Sequence, residues 1–215
     1  MAKALTIDFV SDIVCPWCVV GLRSIEQALG RVAPEITATV RIHPFELNPD
    51  MDDQGQIIAQ HVEQKYGMTA DESAPGHREV RERAAALGFT IATTRNSRIH
   101  NSFNAHRLLH WAKGSGRQIA LKHALFAAYF TDGKNPGNTD VLVDAAQMVG
   151  LDPLDARIVV ASGRHAVDVR NSQRFWRHQG ITAVPATILN DRYIISGGQP
   201  VEKFERAFRS IAAEM

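Results

Sequence analysis

The chain has 215 residues, 45% hydrophobic and 22% charged, which suits one domain, or one domain carrying a large insertion, around its own core. Its 24 Lys and Arg stand against 23 Asp and Glu for a formal net charge of +1, and there is no long basic run. This excludes the electrostatic footprint of a nucleic-acid binder and a polybasic membrane patch.

In chain order, Leu5–Val10 alternates and is rich in β-formers, so it predicts a strand. Pro16 opens a helical stripe of Trp17, Val20, Leu22, Ile25, Ala28 and Leu29, with Gly30 as the expected stop. Ile36–Phe45 reads as a second strand. After a polar turn at Pro49–Gly55 the character changes. Helices are expected at Ile57–Tyr66, Ala70–Leu87, Ile99–Lys113, Arg117–Thr131, Thr139–Val149 and Pro153–Ser162, punctuated by glycines. Asn138–Asp140 and Asp152-Pro153 look like helix starts, with Asp152 as N-cap and Pro153 at the first helical position. Another helix is expected at His165–His178, strands at Thr182–Leu189 and Tyr193–Ser196, and a last amphipathic helix at Pro200–Ala213. Strands therefore cluster at both ends of the chain. No apolar run reaches the length of a membrane span. The first ten residues lack a signal peptide's h-region and cleavage site, so the cytoplasm is the expected location.

Cys15 and Cys18 are the only two cysteines, three apart, between a strand and a helix. In that setting a C-x-x-C pair reads as a redox motif. A structural disulfide closing so short a loop adds only about 2 kcal/mol, and a zinc site lacks a second ligand pair at finger spacing. Cys15 falls near the helix N-cap, where unpaired N–H groups and the helix dipole favour a thiolate. Pro16 falls where its missing N–H costs nothing. Cys18 lies a turn deeper as the resolving thiol, with exchange passing through a mixed disulfide. Trp17 is expected to flank the attacking sulfur, or to be a half-buried helix aromatic. In Ala183-Val184-Pro185 the proline argues against an interior ladder position. If its bond is cis, the Val184 backbone is open to pair with an extended substrate; a trans proline at a strand start is the alternative.

The segments FVSDIVCPWCVVG, HPFELNP, NSFNAHRLLHWA, GITAVPATILN and YIISGGQP together resemble the DsbA-like thioredoxin-fold superfamily, closest to its FrnE-like branch of cytoplasmic dithiol oxidoreductases. The resemblance covers nearly the whole chain. It implies an α/β thioredoxin fold interrupted by a large all-α insertion, with residues 1–50 and 165–215 forming the thioredoxin-like domain and 51–164 the insertion. It implies Cys15 as nucleophile, Cys18 as its partner, and Val184-Pro185 as a cis-proline loop facing them. It implies thiol exchange without a metal or organic cofactor, with glutathione as a candidate co-substrate. The expected partner is a thiol or disulfide, peptide or small molecule, with a homodimer among the options. The superfamily also holds kappa-class glutathione transferases and 2-hydroxychromene-2-carboxylate isomerases, which resemble this chain at Asn101, Ala105 and Arg107. They typically carry Ser where Cys15 stands, and a Ser-Asp pair where this chain reads Ser196-Gly197. A glutathione-dependent isomerase or transferase acting on a small aromatic compound is therefore one alternative, and a peptide-binding holdase using the helical insertion is another.

Other residues carry weaker signals. His106 and His110 have the spacing of a metal pair on a helix, without a third ligand. Asn104, His106 and Arg107 are candidates for the wall facing Cys15, and His106 is counted with Pro16, Trp17, Val184 and Pro185 as substrate-binding. Asp12 reads as a loop-capping carboxylate or a tuner of the thiol. Asp8 reads as a satisfied polar group or a proton relay to Cys18. Arg78–Arg83 reads as a solvated helix face with opposite-sign pairs.

Overall fold

The computed structural model describes residues 2–215, leaving Met1 outside. Strand β1 (Lys3–Ser11) is the centre of the molecule. Leu5, Ile7 and Phe9 alternate onto one face, at most 2% exposed, while Val10 joins a second cluster on the other face with Trp176, Ala186 and Ile188. Both faces are covered, which is why the strand is buried at every residue from Ile7 to Ser11. It pairs in parallel with β2 (Ile36–Pro44) and antiparallel with β5 (Ala186–Leu189), which pairs antiparallel with β6 (Tyr193–Ser196). The sheet order β2-β1-β5-β6 is the thioredoxin arrangement.

Helix α1 (Pro16–Val32) crosses from β1 to β2 and packs with α9 (Val201–Ala213) on one face of the sheet. Gly30 does not end α1 as expected. The helix runs on to Val32 and stops before Pro34, which has no N–H to continue the ladder. On the opposite face α8 (Ala166–His178) packs Trp176 against the His43 ring, 4.8 Å between centroids.

Between β2 and α8 lie β3 (Gln56–Ile57), α2 (Ile58–Tyr66), α3 (Ala70–Ala86), β4 (Arg98–Ile99), α4 (Phe103–Ala112), α5 (Gln118–Phe126), α6 (Thr139–Met148) and α7 (Pro153–Ala161). Asn138 and Asp152 cap α6 and α7 through their side chains. Helix α4 starts four residues later than the sequence suggested. Arg98–Ile99 pairs with Gln56–Ile57 as a small antiparallel ladder, and Asn101 then turns the chain by accepting from the Phe103 N–H at 2.8 Å. The expected helix over 117–131 ends its α-helical part at Phe126 and continues as a π-helical turn, Ala127–Thr131.

Candidate active site

The site is built where β1 stops. Asp12, fully buried, folds its carboxylate back on the loop and accepts from the backbone N–H of Leu47 at 2.8 Å and of Val14 at 3.4 Å. His106 Nε2 lies 3.2 Å from the same carboxylate. Burial pushes the Asp12 carboxyl up, but the His106 hydrogen bond and charge, with Leu47 and Ser102, outweigh it and hold the group below its ordinary value. Asp12 thus pins the loop before Cys15 to the segment after β2.

Cys15 occupies the N-cap of α1 in extended geometry, with Pro16 at the first helical position. Both cysteines are free thiols. The Cys15 thiol donates to the Val184 carbonyl at 3.6 Å. Cys18 is completely buried beneath it. Burial, then its hydrogen bond and charge interaction with Cys15, push the Cys18 thiol well up, while the Asp12 backbone N–H and Lys122 pull the other way.

The Val184–Pro185 bond is cis. The predicted strand over Thr182–Leu189 begins only at Ala186, opposite Val10, because Pro185 has no N–H to give the ladder. Glycines hold this loop and the cysteine helix together. A Cβ on Gly21 would meet Pro185 Cγ at 3.1 Å and Phe9 at 3.3 Å; one on Gly198 would meet the Trp17 carbonyl at 2.8 Å. The Gly21→Leu variant is therefore expected to lose about 1–3 kcal/mol in urea unfolding. It should also lower the exchange rate, because the Pro185 loop must back away from Cys15.

In front of Cys15 opens a cavity of about 1080 Å³ with predominantly apolar walls. Cys15, Pro16, Trp17 and Val184 form one wall, and Tyr66 of α2 and Val80 of α3 face them. Cys15 is only 4% exposed, so its sulfur does not stand on an open surface; it is reached through this cavity. Trp17 is half-buried on the wall and carries the Arg83 guanidinium over its ring at 5.4 Å. Arg83 also pairs with Glu79 at 2.9 Å, so the basic face of α3 is partly solvated, as expected, and partly docked on the active-site helix.

Two sequence expectations change, those for His106 and Arg107, while Asp8 keeps the first of its two readings. His106 does not line this cavity. It is 2% exposed behind Asp12, because its ring is the partner of that buried carboxylate. Arg107 donates to the carbonyls of Val159, Val160 and Arg164, and to Asn104, capping the end of α7. Asp8 lies 2.6 Å from His43 and 3.1 Å from Arg41, a paired polar group away from Cys18. The sequence reading missed Lys122 altogether. It is fully buried on α5, and its Nζ has no hydrogen-bond partner. Burial pushes its pKa down to about 8, against the charges of Cys18, Asp12 and Cys15. A lysine set among Leu121, Leu125 and Phe126 on an apolar helix face was the available signal.

Residues 6–209 match the family model for the DSBA-like thioredoxin domain. The chain belongs to that family. The DSBA-like chain is 33% identical to a probable DsbA oxidoreductase from Streptomyces coelicolor, with a TM-score of 0.90 over 98% of this chain and 91% of that one. It is 29% identical over 209 residues to the uncharacterized protein YwbO of Bacillus subtilis, covering 94% of each. It shares its fold with a 2-hydroxychromene-2-carboxylate isomerase at 13% identity, TM-score 0.73, covering 97% of each chain. No helix of the DSBA-like chain among the described residues is long and apolar enough to cross a membrane.

Proposed function

We propose that this protein is a dithiol–disulfide oxidoreductase whose substrate enters the cavity before Cys15 as a small molecule or an extended peptide. The observation that carries the reading is the stacked pair of free thiols, one at a helix N-cap beside Val184 and one sealed beneath it. In the reductive direction the Cys15 thiolate attacks one sulfur of a substrate disulfide and expels the other half as a thiolate. Cys18 then loses its proton and attacks Cys15, releasing the second substrate thiolate and leaving a Cys15–Cys18 disulfide. Two electrons pass to the substrate, and an external thiol restores the pair. The oxidative direction is the same path reversed. The low exposure of Cys15 favours substrates that can thread the cavity over disulfides fixed in a folded surface. On this reading the protein works in the cytoplasm and needs no metal or organic cofactor for exchange. The test is a redox titration of the Cys15–Cys18 pair in glutathione buffers, with turnover measured on glutathione disulfide, a flexible disulfide peptide and a folded disulfide protein. Turnover of the first two, well above the third, supports the reading; equal rates on all three or no exchange with any would overturn it.

Lys122 has a place in this cycle. Cys18 must ionise in a dry site that opposes ionisation, and Lys122 is a buried cation within electrostatic reach of it. The Lys122→Met variant is expected to resolve the mixed disulfide about 10-fold more slowly at pH 7, the equivalent of one pKa unit on Cys18. Stopped-flow mixing across pH checks this, with the inflection moving upward in the variant. The same variant should be more stable by about 1–3 kcal/mol, because a buried unpaired charge is gone. In the wild type the folded state releases the Lys122 proton near pH 8 and the unfolded chain only near 10.5. Stability should therefore rise with pH across that window, and this rise should vanish in Lys122→Met.

A further inference from the structure

His110, left without a third ligand in the sequence, finds its neighbours across the fold. It lies against His165, ring centroids 5.0 Å apart. Asp168, in the first turn of α8, brings Oδ2 to 3.1 Å from His165 Nδ1 and 3.8 Å from His110 Nε2. One ligand atom from each of the three lies within 4.8 Å of the others. We propose that His110, His165 and Asp168 form a binding site for one divalent transition-metal ion of the zinc class, separate from the Cys15–Cys18 pair.

Two imidazoles and one carboxylate are a donor set for such ions. Metal–ligand bonds of about 2.0–2.2 Å at a tetrahedral angle place ligand atoms roughly 3.3–3.6 Å apart. The separations of 3.1 and 3.8 Å straddle that span. A small rotation of a half-exposed ring closes the third separation. His165 sits at the N-cap of α8 with φ 62°, a left-handed conformation uncommon for a residue other than glycine. His165 presents Nδ1 to Asp168, the nitrogen that would ligate an ion here, while Nε2 on the far side of the ring is buried and points away from the site. The side chains are 24–54% exposed, which leaves an entry path and at least one coordination position for water. With a single carboxylate in the set, and Lys113 within electrostatic reach of His110, the expected affinity is micromolar. The bound ion would clamp α4 to the start of α8, where the chain returns from the helical segment to the sheet.

The experiment uses untagged full-length protein with Cys15 and Cys18 oxidised to their disulfide, so that no thiolate competes. After chelator treatment it is titrated with Zn(II) by calorimetry and with Co(II) by visible spectroscopy. One equivalent should bind in the micromolar range. The melting temperature should rise by about 5–10 °C at 100-fold excess over Kd. His110→Gln and Asp168→Ala should each weaken binding at least about 30-fold. His178→Gln, an exposed histidine at the far end of α8, should leave it unchanged. Far-UV circular dichroism confirms that each variant folds. The imidazole resonances of wild-type His110 and His165 give a readout independent of any variant, and both should shift on adding Zn(II). Absence of saturable binding up to about 1 mM, affinity unaltered in the folded variants, or shifts confined to other histidines would overturn the site.

Discussion

Replacing Cys15 by Ser is expected to abolish disulfide exchange, with turnover falling by at least about 1,000-fold. The serine hydroxyl fits the space beside the Val184 carbonyl and can make the same kind of hydrogen bond, so the fold should survive and the loss should be chemical. An alcohol does not ionise at neutral pH and forms no disulfide, so neither the attack nor the mixed disulfide is available. The Cys18→Ser variant should behave differently. Its Cys15 still sits at the N-cap of α1 and still attacks, but nothing resolves the product. One equivalent of substrate should remain attached to Cys15, visible as a mass increase that a reducing agent removes. Normal turnover by Cys15→Ser, or a Cys18→Ser protein that cycles freely without added thiol, would end the dithiol reading. Either result would favour an activity in which the sulfurs are bystanders, such as binding of unfolded chains in the apolar cavity. Suppression of aggregation that persists after both cysteines are replaced would mark that case.

The Asp12→Ala variant is expected to lose about 3–5 kcal/mol of stability, because it leaves His106 buried and unpartnered and removes a buried charge's hydrogen bonds at one stroke. The Leu47 and Val14 N–H groups lose their acceptor together with the His106 ring. Urea unfolding checks the magnitude, and Asp12→Asn, which keeps an acceptor, should lose less. The pH dependence has a definite sign. The folded-state carboxyl is held below its ordinary value, first against burial and then by His106, Leu47 and Ser102. Its contribution is therefore fully present above the unfolded pKa, near 4, and is lost as pH falls through the lower folded-state value. Wild-type stability should drop over that acid range more steeply than that of Asp12→Ala. Exchange should suffer as well, because the loop that the Asp12 carboxylate pins carries the backbone N–H that lowers the Cys18 thiol.

The placing of the two cysteines was legible in the chain because it is local. Strand, loop, Cys15, Pro16 and helix follow one another directly, and cap geometry depends on neighbours in sequence. At Pro185 the break in the ladder was legible, since a proline gives no N–H wherever it falls, but the residues left cis and trans open and only the resemblance implied the cis bond. The helical segment and the last strands were legible from periodicity, with errors at the ends: Gly30 did not stop α1, which runs on to Val32 before Pro34, and the ladder between Gln56–Ile57 and Arg98–Ile99 held back the start of α4.

By itself, then, the sequence determined the placing of Cys15 and Cys18 at a helix start, the order of strands and helices, and the family to which they point. Tertiary structure alone decided which polar groups meet. It gave His106 to Asp12, Arg107 to the end of α7, and Arg83 to Trp17. It brought His110 to His165 and Asp168, more than fifty residues away, and sealed Lys122 behind the thiols. The physical reason is that a buried charge must find a partner or shift its ionisation, and those partners come from elements far apart in the chain. Periodicity reports which face of a helix is inside; it carries no information about what that face will touch.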